Sequence, residues 1–154
     1  MPESNALRQE VSALFERRFG VSSESLAGLA FRERRDEVWA CNSPPPSGIE
    51  SDRPSGLRAL RRRADGLKPT STFLIALGDC ITASRVDLDS DLLRLVLLGQ
   101  RVPAPPGHTD GYVALCFRDD VVGCGKLRGG LLHGLIPTGR RRELLNALDA
   151  DSRA

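Results

Sequence analysis

Across residues 121–142 the chain has no carboxylate, yet it carries Lys126, Arg128, Arg140, Arg141 and Arg142. The same stretch holds Gly123, Gly125, Gly129, Gly130, Gly134 and Gly139. Cations beside accessible backbone N–H groups are what a phosphate requires, since they neutralise its charge and supply short donors. Glycine inside a strand costs stability and marks a bulge, a tight corner or a close approach of backbone to something else. Gly123 and Gly125 therefore have two readings. They turn the corners of a small barrel, or their missing side chains admit a sugar–phosphate backbone. Lys126 and Arg128 alternate, which places them on one face of a strand. A second basic run, Arg58, Arg61, Arg62, Arg63 and Lys68, lies upstream. The net charge is only +2 and all but two of the 22 basic residues are Arg. The argument for a polyanionic partner thus rests on where the cations stand, not on their total.

Other chemistry is thin. Gly123-Cys124-Gly125 resembles the start of a dinucleotide fingerprint, but it lies inside a strand pattern and no third Gly or acidic partner follows. A phosphate-binding P-loop is absent from the sequence. His108 falls in a Pro/Gly connector and His133 in a strand, neither with a Ser, Cys or carboxylate partner at a recognisable spacing. Cys41, Cys80, Cys116 and Cys124 have no CxxC spacing and read as buried, reduced thiols. Cys116 and Cys124 flank a turn, and neither a disulfide nor a metal pair is expected there. Asp87, Asp89 and Asp91 alternate without the Gly or distal Glu of a calcium loop, so a helix cap in a solvated turn is the reading. We therefore expect no enzymatic activity, no cofactor and no metal. No apolar run approaches the roughly 20 residues of a bilayer span. The polar, amphipathic start is not a secretory signal, and the expected location is cytoplasmic.

The elements that must position the cations follow from periodicity. Residues 4–19 form an amphipathic helix with Leu7, Val11, Leu14, Phe15 and Phe19 on one side and Gly20 as its stop. Ser22 or Ser23 caps a short helix or turn. Residues 30–41 read as two strands, with Phe31 in the first and Val38 and Trp39 in the second. Residues 42–56 hold four of the ten prolines and form a loop. Residues 57–60 make a strand with Arg58 and Arg61 facing out. Lys68-Pro69-Thr70 opens a helix over 71–77, 85–88 is a strand, and Asp89 caps a Leu-rich helix ended by Gly99. After a Pro-rich connector at 103–110, strands at 112–117, 121–128 and 131–136 are joined at Asp119-Asp120 and Gly129-Gly130. A last helix covers 140–148.

Four runs then become familiar: Gly111-Tyr112-Val113-Ala114-Leu115, Val122-Gly123-Cys124-Gly125-Lys126, Gly130-Leu131-Leu132 and Ile136-Pro137-Thr138-Gly139-Arg140-Arg141. Together they resemble the C-terminal PUA-like domain of the Sun-family (F-type) rRNA cytosine methyltransferases. Upstream, Lys68-Pro69-Thr70, Gly78, Arg85-Val86-Asp87-Leu88 and the Leu-rich helix match the first part of that domain. Residues 1–64, with the 42–56 loop, resemble the small pre-PUA unit, and 65–150 the PUA-like domain. The chain departs from the pattern at Ile136, in an aromatic slot, and at Thr138, where a Lys is usual. It also lacks the catalytic domain and its Pro-Cys and Thr-Cys settings.

The resemblance implies an α+β fold, a small mixed β pseudo-barrel with flanking helices behind an α/β pre-PUA unit. It further implies a non-catalytic module that recognises structured rRNA or a ribosome precursor through phosphates. The expected contacts are Lys126, Arg128, Arg140, Arg141 and Arg142, with Gly123 and Gly125 allowing close approach and Arg61, Arg62, Arg63 and Lys68 extending the surface. The alternative is an assembly factor that docks a ribosomal protein or a separate methyltransferase subunit.

Overall fold

In a computed structural model, residues 5–42 and 56–153 are described. The expected loop at 42–56 falls almost entirely outside them. The fold is mixed α+β, with two sheets and five α-helices among the described residues.

Helix α1 (Asn5–Phe19) buries Leu7, Val11, Phe15 and Phe19, spaced four apart so that they stack along one stripe. Helix α2 (Ser23–Leu26) is capped by Ser22, whose side chain accepts from the Ser25 N–H. The first sheet is an antiparallel meander of β1 (Ala30–Arg34), β2 (Glu37–Cys41), β3 (Leu57–Arg63) and β4 (Gly66–Pro69). Helix α3 (Ser71–Leu77) follows, with the Thr70 hydroxyl accepting from Phe73 N at 3.1 Å. The second sheet has the order β5-β7-β8-β9-β6, built from β5 (Arg85–Asp87), β6 (Val102–Pro103), β7 (Gly111–Phe117), β8 (Asp120–Arg128) and β9 (Leu131–Gly134). β5 runs parallel to β7 and the other neighbours are antiparallel. Helix α4 (Ser90–Leu97) bridges β5 and β6. Asp89 accepts from Leu92 N at 2.8 Å, a cap worth about 1 kcal/mol. Helix α5 (Thr138–Arg153) packs on α4, and the Arg94–Asp149 ion pair at 2.7 Å joins them.

Strands β7 and β8 form a wall between two cores. Ala114, Cys116, Val121 and Cys124 pack with α1, α3 and the first sheet. Val113, Leu115, Val122 and Leu127 pack on the other side with Leu93, Val96 and Leu148. Apolar contact on both faces explains why these strands read as nearly continuous apolar runs instead of alternating ones. The α1 stripe anchors the first core, where Phe15 lies 5.4 Å from both Phe19 and Phe73 in edge or tilted contacts.

Several expectations need correcting. Lys68 and Pro69 belong to β4, not to a helix start; only Thr70 serves α3. Proline is tolerated there because β4 is an edge strand and need not donate on its open side. The β3–β4 hairpin turns through residues 64–65, and the first sheet ends at Pro69. β6 was not foreseen. β9 stops at Gly134 instead of 136, and α5 starts earlier and runs longer than 140–148. The β7–β8 turn is Arg118-Asp119, both with positive φ, while Asp120 already pairs with Phe117. Gly129-Gly130, also both at positive φ, makes the expected tight hairpin turn.

Candidate functional site

The basic residues of β3 converge because of one irregularity. Glu37 pairs with Arg61 and Val38 with Leu60, but Trp39 pairs with Arg58, so Ala59 is an extra residue in β3. Ala59 and Leu60 are both fully buried. Plain alternation would send Arg58 and Arg61 to opposite faces; the bulge resets the parity and brings them together. Both reach Glu37, Arg58 Nη1 at 2.8 Å and Arg61 Nη2 at 3.6 Å. The hydrogen bond from Arg58, with the charges of both arginines, holds the Glu37 carboxyl below its ordinary range.

Lys68 stands directly across from Arg61. Burial, together with the nearby charges of Arg63, Arg61 and Lys126, pulls its ammonium pKa down. Three cations thus act on a fourth, and two of them come from the upstream run while one comes from β8. Lys126 also ties this cluster to the second sheet. Its Nζ lies 5.1 Å from the Tyr112 ring centroid and 4.0 Å from Asp65 Oδ2. Tyr112, Lys126 and His133 form one cross-strand row through β7, β8 and β9.

A cleft of ≈ 240 Å³ opens beside this cluster, at the seam between the first sheet and the β9–α5 connection. Arg58, Arg61 and Lys68 supply its charge, Thr70, Ser71 and Thr72 its hydroxyls, and Pro69, Leu135 and Pro137 its apolar wall. Ser71 is itself buried and is spent on architecture: its hydroxyl donates to Leu135 O at 3.1 Å and accepts from Cys124 N at 2.9 Å. Thr70 likewise donates to Arg58 O and caps α3.

The other expected contacts are placed differently. Gly123 and Gly125 are buried. A Cβ on Gly123 would stand 2.5 Å from Ile136 Cγ1 and 3.1 Å from Ser71 Oγ, and one on Gly125 would stand 2.8 Å from Leu115 Cδ2. The close approach these glycines permit in the fold is that of the protein's own side chains. Arg62 turns towards β1 and α1, where it bonds Glu33 of β1 at 2.6 Å and Glu10 of α1 at 2.8 Å. These two carboxylates raise its pKa further, and its fork is already filled. Arg61 and Arg63 therefore belong to the cationic cluster and Arg62 does not. Arg128 is exposed at the end of β8. Arg140, Arg141 and Arg142 occupy the first turns of α5, just after Pro137 of the cleft. Arg140 reaches Glu143 at 3.3 Å, and Arg141 donates to Thr138 Oγ1 at 3.0 Å. Thr138, found where a cation was expected, is thus a local acceptor for one.

Arg58 and Tyr112 join the site without having been counted as contacts. Arg58 was legible as an outward Arg, but its convergence with Arg61 depends on the bulge. Tyr112 was hidden in a core-like strand. As to the thiols, Cys116 and Cys124 are buried, and burial pushes Cys124 up to about 12. Cys80, in contrast to the expectation, is exposed, and Cys41 is half-buried. Among the described residues no cluster of three His, Cys, Asp or Glu could hold a metal, and no helix is long and apolar enough to cross a membrane.

Residues 83–142 match the family model described as the methyltransferase RsmF PUA domain. The segment is thus similar to a methyltransferase PUA domain, in agreement with the resemblance read from its glycine pattern. No curated protein matches the chain.

Proposed function

We propose that this chain binds structured RNA, rRNA or a ribosome precursor, through phosphate contacts, and that it acts by binding and not by catalysis. The observation that carries this reading is the convergence of Arg58, Arg61 and Lys68 on one cleft, with Lys68 directly across from Arg61. The charges of Arg63 and Lys126 add to the field around Lys68. Holding like charges together costs a fold stability, and a polyanion offsets that cost. The contact set is Arg58, Arg61, Arg63, Lys68 and Lys126, extended along α5 by Arg140, Arg141 and Arg142 and at the hairpin end by Arg128. Scarce aromatics leave little platform for stacking bases, which favours recognition by shape and backbone. In this reading residues 5–69 act as the pre-PUA unit and the remainder as the PUA-like domain.

Filter binding to folded rRNA fragments at two salt concentrations tests this. If four phosphates are neutralised, affinity falls about a hundredfold between about 50 and 200 mM salt. Lys126→Ala weakens binding to different sequences alike. Absence of binding at low salt contradicts the reading.

One observation favours a protein partner as the second reading. Leu95 on α4 and Leu98 at its C-terminal cap are exposed, at 37% and 57%, as is Leu131 on β9 at 43%. Exposed leucines of this kind fit docking of a ribosomal protein or a methyltransferase subunit. A partner retained in a pull-down after nuclease treatment supports it, and one released by nuclease supports RNA.

A further inference from the structure

The basic surface is not a plain strip. Lys68 belongs both to the cationic cluster that reaches Lys126 and to the cleft at the seam between the sheets. Behind its charges the cleft has an apolar wall of Pro69, Leu135 and Pro137. A phosphate backbone passing over the surface has no use for that wall. A paired base cannot reach it either, because its faces are covered by neighbours in the stack. An unpaired base, splayed out of a helix, presents an apolar face of the right kind. From the geometry we infer that the cleft receives a single unpaired nucleotide of the bound RNA, its base against Pro69, Leu135 and Pro137 and its phosphate on Arg58, Arg61 and Lys68.

This inference rests on the RNA-binding reading and adds a preference to it. The volume of ≈ 240 Å³ is enough for one base. The hydroxyls of Thr70 and Ser71 are already committed within the protein. They do not read base edges, which leaves the rim hydroxyl of Thr72, so the cleft selects for an unpaired nucleotide more than for its identity. Thr72, exposed at the rim, is where the cleft can be filled without disturbing the core.

The test uses three RNA hairpins with the same stem and loop: fully paired, with one bulged nucleotide, and with one abasic bulged nucleotide. Burying roughly 40 Å² of base face against the wall predicts that the bulged hairpin binds about fivefold tighter than the paired one. The abasic bulge loses most of that gain, and bulged A and bulged U bind alike. Thr72→Met, which fills the rim without adding an aromatic face, removes the preference for the bulged hairpin. Equal binding of the bulged and paired hairpins overturns the inference, as does an abasic bulge that binds as well as an intact one. If no hairpin binds, the RNA-binding reading itself fails. Circular dichroism checks that the Thr72 variant is folded, and the wild-type comparison of three RNAs decides the matter should it not be.

Discussion

Strands β3 and β8 invite opposite readings from their composition. β8, with Gly123, Gly125 and Lys126, looks open: small residues beside a cation, as if space had been left for a ligand. β3, with three consecutive arginines, looks like a solvated stripe. In the fold the roles largely exchange. The space beside the β8 glycines is filled by Ile136 and Leu115. The β3 arginines are sorted by a bulge at Ala59, so that Arg58 and Arg61 share Glu37 and face Lys68, while Arg62 is taken by α1 and β1 carboxylates. A missing side chain is not a vacancy until the opposite wall is known, and neighbouring charges are not one surface until strand parity is known.

This contrast can be broken most sharply at Gly123. Gly123→Val places methyl groups where Ile136 already sits, and overpacking of this sort costs about 3 kcal/mol. Denaturant unfolding should show that loss, while the folded fraction binds RNA as the wild type does. A stable Gly123→Val variant with lost RNA affinity would return the glycines to the interface. Lys68→Glu is the reciprocal change. It reverses a charge at the centre of the cationic cluster and should lower RNA affinity by about tenfold or more at moderate salt, with stability little altered. The same reversal at Arg142, exposed on α5, should cost clearly less.

Arg62→Ala separates the structural arginine from its neighbours. Its partly exposed pairs with Glu10 and Glu33 are discounted for solvent screening, so the expected loss is about 0.5–1 kcal/mol of stability with RNA binding nearly unchanged. That difference depends on pH. The Arg62 hydrogen bond keeps the folded Glu33 carboxyl below its ordinary value of 4.5. The stabilisation is therefore complete above the unfolded carboxylate pKa and is lost as pH falls through the folded one. Wild type and Arg62→Ala should differ at neutral pH and converge in acid. Glu37→Gln gives the smallest effect: it releases Arg58 and Arg61 from a competing carboxylate and should tighten RNA binding about twofold, read most clearly at low salt.

Much of the fold was legible because local signals agreed with tertiary demands. The Leu7, Val11, Phe15, Phe19 spacing gave α1, Asp89 and Gly99 bounded α4, and Gly129-Gly130 marked a hairpin. β4 was missed because a Lys-Pro-Thr run also suits a helix entrance, and only the pairing with β3 shows that Pro69 sits on an edge. The site was harder. Lys126 and the cations of β3 were in view, but their meeting depends on a one-residue bulge and on two sheets packed through a common core. The glycine partners, Ile136 and Ser71, and the Arg62 partner Glu10 all lie far away in sequence, beyond any local pattern.

The central claim is that cations of the first sheet and of β8 act on one RNA. The most direct test is the slope of log affinity against log salt concentration for wild type and for the Lys68→Ala/Lys126→Ala double variant, with one folded rRNA fragment. Removing two phosphate contacts should make the slope shallower by roughly 1.5. An unchanged slope would contradict a shared interface across the two sheets.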